Sequence, residues 1–251
     1  MPASPYPVFL DLHRRPVLIV GGGQVALRKA QGLLATGARV VVVSPEFTPA
    51  LAALQTIERI QAPYAATHMA RKSWRLVFAA TDRTEVNAQV QKHAEAAGIF
   101  CCRCDKPDDG DFSSGATRRI ASSTSSAESQ AGVVLAVSTS AASPALAARI
   151  CQQAVDGIDP ILITLAGLLA AWRANVKSQI AAGPARKALL QRIAGEEMES
   201  ILRAGGETAA HEKFHQWLAE AAASSEPPPA ISENSPTETP PTFARARHAG
   251  K

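Results

Sequence analysis

The stretch Pro16–Ala30, PVLIVGGGQVALRKA, restricts the fold of this 251-residue chain more than any other. An aliphatic run, three glycines and then a helical period read as a buried strand, a glycine turn and a helix. Gly21, Gly23 and Ala26 match the spacing G-x-G-x-x-[G/A]. In that spacing the first glycine makes the tight turn and the second lets backbone approach a pyrophosphate. The small third residue packs helix against strand, and the helix N-terminus faces the phosphates. A dinucleotide-binding turn is expected; the alternative is a glycine turn with a purely structural role.

The alternation continues downstream. Apolar runs at 16–20, 38–43 (ARVVVV), 75–80 (RLVFAA) and 98–102 (GIFCC) accompany helical patterns over Gln24–Thr36 and Thr84–Ala97. Strand and helix periods at this spacing predict βαβ units and a parallel sheet, hence a Rossmann-like α/β domain over residues 1–112. About twenty residues past such a turn an acid usually ends the second strand and holds the ribose hydroxyls. Ser44 stands there, with Glu46 two residues on. No arginine directly follows the strand to meet a 2′-phosphate, so NAD is expected rather than NADP.

A fifth apolar run, GVVLAV (132–137), follows a Ser/Thr/Ala-rich stretch, Ser113–Gln130, that reads as a loop. Ser143-Pro144 then opens a helical half, with serine as N-cap and proline at the first helical position. Asp159-Pro160 and Gly183-Pro184 start two further helices, and Gly205-Gly206 is expected to close the second of these before a last one. Residues 113–157 are expected to form a dimerisation and substrate segment and 158–221 a helical domain. The stretch 222–251 holds six of the seventeen prolines and reads as a disordered tail.

The longest apolar stretch, Ile161–Trp172, has 12 residues and includes Thr164 and Gly167, whereas a membrane helix needs roughly 20. The opening, MPASPYPVFLDLHRR, shows neither the basic nor the apolar region of a signal peptide. Three of the four cysteines sit together in CCRC, unlike a secreted disulfide framework. A soluble, cytoplasmic protein without a membrane partner is expected. With 26 basic and 22 acidic residues the formal charge is +4, too diffuse for a nucleic-acid partner but suited to a small anion.

The segment PVFLDLHRRPVLIVGGGQVALRKAQGLL (7–34) resembles the opening of the precorrin-2 dehydrogenases, including the dehydrogenase/ferrochelatase module of siroheme synthase. AATDRTEVN (79–87), GIFCCRCD (98–105) and LAVSTSAASPALAARI (135–150) agree in order. The resemblance implies that Gly21 to Val25 line the pyrophosphate, Gln24 and Val25 through backbone. It places Pro45 and Glu46 beside the adenosine ribose, and Thr81 and Asp82 along the cleft. Asp105 falls where the family has its essential aspartate. Oxidising precorrin-2 removes a hydride, taken by NAD, and a proton that needs an acceptor. Inserting Fe²⁺ as substrate metal expels two more. The other reading of Asp105 is a loop cap, since KPDDG follows it. A homodimer is implied, and the methyltransferase domain fused to some relatives is not expected here.

The chain also departs from the family's pattern. The segment after Phe112 lacks the usual proline and is longer. Its Arg118 and Arg119 either meet substrate carboxylates or are solvated. Ser140 and Ala141 replace the usual glycines in a segment whose Thr139 and Ser143 are candidate substrate contacts. Cys102 and Cys104 share a strand face and Cys101 takes the other, which suits buried thiols better than a metal site; the identity of any bound metal stays open. His211-Glu212-Lys213-Phe214-His215 spells the zinc-protease pattern HExxH, but reads equally well as an amphipathic helix with Phe214, Trp217 and Leu218 buried. The favoured function is NAD-dependent oxidation of precorrin-2 to sirohydrochlorin, with ferrochelation as an added activity. The alternatives are a dehydrogenase without chelation and a non-catalytic dinucleotide sensor.

Overall fold

A computed structural model of the chain describes residues 5–122, 131–140 and 142–224. They fall into two compact units. The first takes in the chain up to Arg119 with Val134–Gly157; the second takes in Ile120–Val133 and the chain from Ile158.

In the first unit β1 (Pro16–Val20), β2 (Arg39–Ser44), β3 (Glu58–Gln61), β4 (Leu76–Ala79) and β5 (Phe100–Arg103) form a sheet in the order β3-β2-β1-β4-β5. All four pairings are parallel, as the alternation predicts. α1 (Gln24–Leu34) links β1 to β2, and α4 (Thr84–Ala96) links β4 to β5. Short helices α2 (Pro49–Ala52) and α3 (Ala66–Ala70) flank β3.

Alternate strand residues feed two cores. Val17, Ile19, Val42 and Phe78 pack with Ala26, Ala30 and Leu33 of α1. Leu18, Val20, Val41 and Val77 pack with Val90 and Ala94 of α4 and with Trp74. A sheet covered on both faces explains why its strands read as unbroken apolar runs. Each such side chain contributes about 1.5–3 kcal/mol on burial. Cys102 and Cys104 pack with the first core and Cys101 with the second, as the two-residue period requires.

β6 (Ala116–Ala121) and β7 (Gly132–Val137) make a two-stranded sheet. The loop reading of Ser113–Gln130 is thereby corrected over 116–121; residues 123–130 lie outside the described residues. Arg118 and Arg119 break the apolar pattern of β6, and both are exposed. α5 (Pro144–Asp156) starts as expected, with Ser143 Oγ accepting the Leu146 N–H at 3.2 Å.

The second unit contains α6 (Pro160–Gln179), α7 (Pro184–Ile193) and α8 (Glu196–Ala223). Asp159 caps α6, accepting the Ile161 N–H at 2.9 Å. Trp172, Val176, Ile193, Met198, Phe214 and Trp217 form its core. Trp172 and Phe214 stack with centroids 4.4 Å apart, and the Arg192 guanidinium lies 4.0 Å over Trp217. The expected break at Gly205-Gly206 is present as a kink: two helical stretches of α8 meet at Gly206, which leaves helical geometry with φ 67° and ψ −166°. A further break, not expected from the sequence, falls at Ala194-Gly195 between α7 and α8. α8 reaches Ala223, and the tail expected to be disordered lies outside the described residues from 225 on. Among the described residues no single helix is long and apolar enough to cross a membrane.

Candidate functional site

The sheet order reverses between β1 and β4, and open α/β sheets bind ligands at the C-terminal ends of strands at such a point. Gly21 follows β1 with φ 129°, and a Cβ there would stand 2.3 Å from the Ala80 carbonyl oxygen. Gly22 is equally constrained: its Cβ would stand 1.8 Å from the Glu46 carbonyl oxygen. Gly23 differs, because a Cβ there would meet nothing within 4 Å. The first two glycines thus close the turn against β4 and the end of β2, while the third faces open space. The spacing singled out Gly21 and Gly23 but not Gly22, whose need arises from a contact across the sheet.

Gly23 caps α1 without a side chain, so the N–H groups of Gln24 and Val25 begin the helix uncapped. Ala26 is fully buried, which allows the close approach of α1 to the sheet. Ser44 is buried at the end of β2, and Pro45 and Glu46 are exposed beyond it. Thr48 donates its N–H to the Gly22 carbonyl at 2.9 Å and keeps a buried hydroxyl without a partner among the described residues. Open space before Gly23, an uncapped helix N-terminus and an unpartnered hydroxyl fit the diphosphate of a dinucleotide.

At the end of β4, Thr81 is pinned by Asn87, a residue that sequence reasoning did not single out. Asn87 is fully buried; its Oδ1 accepts from the Thr81 hydroxyl at 2.7 Å and from the Thr81 N–H at 3.1 Å, while its Nδ2 donates to the Thr81 carbonyl at 3.0 Å. Asp82 is exposed beside it.

Asp105 stands just past β5. Arg103, 3% exposed, donates from Nε to Oδ1 at 2.9 Å and from Nη2 to Oδ2 at 2.8 Å. Its Nη1 donates to Gln91 Oε1 at 2.9 Å. Hydrogen bonds from Arg103, opposed by desolvation and helped by Asn87, hold the Asp105 carboxyl at about 2. Arg103 and Gln91 were also missed, since their pairing depends on how α4 packs beside β5. All four cysteines are free, and burial pushes the Cys101 thiol up to about 12.

The remaining candidates do not gather there. Arg118 donates to Gln152 Oε1 at 3.2 Å, and Arg119 follows it on β6, where successive side chains take opposite faces. Thr139 Oγ1 donates to the Ser143 carbonyl at 3.0 Å and accepts the Ser143 N–H at 3.2 Å, so both residues shape the start of α5. Ser140 has φ 49°, a conformation that favours glycine; Ala141 lies outside the described residues. On α8, His211 Nδ1 accepts the Trp172 indole N–H at 3.1 Å. Among the described residues no three His, Cys, Asp or Glu side chains are grouped to hold a metal.

A glycine turn opening a helix at the switch point of a parallel five-stranded sheet defines a dinucleotide-binding α/β protein. Residues 8–116 match the family model described as putative NAD(P)-binding. The chain is 35% identical over 219 residues to siroheme synthase 1 of Aeromonas salmonicida, covering 85% of this chain and 44% of that protein. Siroheme synthase of Tolumonas auensis is 32% identical over 216 residues, covering 85% and 43%. A solved structure titled SirC, precorrin-2 dehydrogenase, matches the fold with a TM-score of 0.61 and 22% identity, over 86% of this chain and 99% of that one. The chain is similar to these siroheme synthases over most of its own length, and it spans less than half the length of those relatives.

Proposed function

We propose that this chain oxidises precorrin-2 to sirohydrochlorin with NAD⁺ as hydride acceptor. The observation that carries the reading is the meeting of three features at neighbouring strand ends: the glycine turn after β1, the Asn87-pinned Thr81 after β4, and the paired Asp105 after β5. Similarity to siroheme synthases over 219 residues supports the choice of substrate.

Gly23, Gln24 and Val25 hold the diphosphate through backbone, and Pro45 and Glu46 border the ribose. An exposed carboxylate at that place repels a 2′-phosphate, which supports NAD over NADP. The bound cofactor takes the hydride. The proton released from the macrocycle needs an acceptor at the same face, and Asp105 is the carboxylate placed for it. The Asp105 carboxylate, kept ionised by Arg103, faces the macrocycle as an anion. Turnover therefore requires the ring proton to compete with a guanidinium for that carboxylate.

Iron insertion is the second reading. A carboxylate kept ionised is a landing point for Fe²⁺ as substrate, while two pyrrole protons leave. Ser140 favours the dehydrogenase without chelation, because it carries a side chain in a glycine-like conformation. The reading places the enzyme in the cytoplasm as a homodimer, with a tetrapyrrole polycarboxylate as its small-molecule partner and no nucleic acid or membrane. Exposed Leu146 and Ile150 on α5 offer apolar surface for a second copy. The test is Asp105→Ala: NAD⁺ binding is kept and precorrin-2 turnover is lost. Equal turnover in the variant assigns the proton to another acceptor, and NAD⁺ binding without turnover in the natural chain favours the sensor alternative.

A further inference from the structure

We propose that the first unit carries a second ligand site, a hollow for a compact polyanion at the strand starts, the end of the sheet opposite the glycine turn. The hollow has a volume of about 370 Å³ and is lined by Arg14, Arg15, Arg39, Lys72, Ser73 and Arg75, together with Pro16; no acidic residue lines it.

Strand register assembles these charges. Pro16 pairs with Arg39, and Val17 with both Val40 and Leu76, so Arg39 and Arg75 sit at the starts of the two strands flanking β1. Neighbouring strands lie about 4.8 Å apart, which brings the three strand starts side by side. Arg14 and Arg15 form the turn that enters β1. The backbone beneath them is fixed: Arg14 N–H donates to Gly37 at 2.8 Å, and Arg39 N–H to Arg15 and Arg75 N–H to Pro16 at 2.9 Å each. Arg14 also holds φ 56°, a left-handed conformation uncommon outside glycine.

The charges are not neutralised from within. Arg59, Arg71, Arg83 and Arg103 of the same unit are each held by a carbonyl or a carboxylate. Lys72 is paired with Glu58 at 2.6 Å. Among the described residues, Arg14, Arg15, Arg39 and Arg75 have neither an ion pair nor a side-chain hydrogen bond. Four unpaired guanidinium groups around one hollow repel one another, and an anion relieves that repulsion. Each offers a planar fork matched to carboxylate or phosphate oxygens, and the Ser73 hydroxyl adds a donor. No aromatic ring lines the hollow to stack on a base, so the site reads charge and oxygen geometry: a short polyphosphate or a small oligocarboxylate.

The test is calorimetric titration of the full chain with tripolyphosphate and, separately, citrate, at fixed ionic strength and with NAD⁺ saturating the cofactor site. One saturable site per chain is expected. The double variant R39Q/R75Q is expected to weaken it about tenfold or more, with NAD⁺ affinity and thermal midpoint unchanged. Binding of tripolyphosphate alone identifies a phosphate ligand, and of citrate alone a carboxylate ligand; either supports the site. It is overturned if neither anion saturates or if R39Q/R75Q binds as the natural chain does.

Discussion

Arg103 and Asp105 meet in a two-pronged ion pair at the end of β5, the guanidinium side chain 3% exposed and the carboxylate 20%. Removing the carboxylate strands a buried cation whose remaining side-chain partner is Gln91. Asp105→Ala is therefore expected to cost about 3 kcal/mol in stability, and Asp105→Asn less, because an amide oxygen still accepts from Arg103. Urea unfolding checks this. A loss below about 0.5 kcal/mol for the alanine variant would mean that Arg103 finds another partner.

The same pair sets a pH dependence. Arg103 holds the folded-state carboxyl at about 2, whereas an unfolded aspartate titrates near about 3.9. The folded state binds this proton more weakly. Its stabilisation is fully present above about pH 4 and is lost as pH falls from there through about 2. The stability difference between the natural chain and Asp105→Asn is expected to stay level from about pH 5 to 8 and shrink below about 4. A decline beginning near neutral pH contradicts the ion pair.

Gly22 and Gly23 predict opposite outcomes for one substitution. Gly22→Ala drives a methyl group to 1.8 Å from a backbone carbonyl, so it is expected to destabilise the unit by about 3 kcal/mol or more. Gly23→Ala meets nothing within 4 Å and costs under about 1 kcal/mol as an N-cap change. It is expected instead to weaken NAD⁺ binding about tenfold, because its methyl group occupies the space kept for phosphate. Thermal melts beside NAD⁺ titrations separate the two.

Much of this arrangement can be read from sequence. β1, α1 and β2 are legible because both faces of the sheet are covered, leaving unbroken aliphatic runs around a helical period. β3 is not, since the edge segment ERIQ alternates half-buried and exposed positions and contains no apolar run. β6 is hidden by Arg118 and Arg119, whose exposure costs the strand nothing. At the site, Gly21, Gly23 and Asp105 follow from local spacing. Gly22, Asn87 and Arg103 depend on contacts made across strands and helices, which no local pattern encodes. The double glycine at 205-206 marks the kink in α8 where Gly206 leaves helical geometry, whereas the break at Ala194-Gly195 carries only a single glycine.

Ser143 separates a structural role from substrate contact. Its hydroxyl caps α5, so Ser143→Ala is expected to cost about 1 kcal/mol in stability. KM for the tetrapyrrole is expected to stay within twofold, a factor of about 0.4 kcal/mol. A tenfold rise in KM at unchanged stability would assign the side chain to the substrate instead.

The central claim is tested most directly by following anaerobic absorbance of precorrin-2 with the purified chain, with and without NAD⁺, before any metal is added. The account predicts that the sirohydrochlorin spectrum appears only with NAD⁺, with one NADH formed per macrocycle oxidised. If NAD⁺ binds and the precorrin-2 spectrum does not change, the assignment as a dehydrogenase is contradicted.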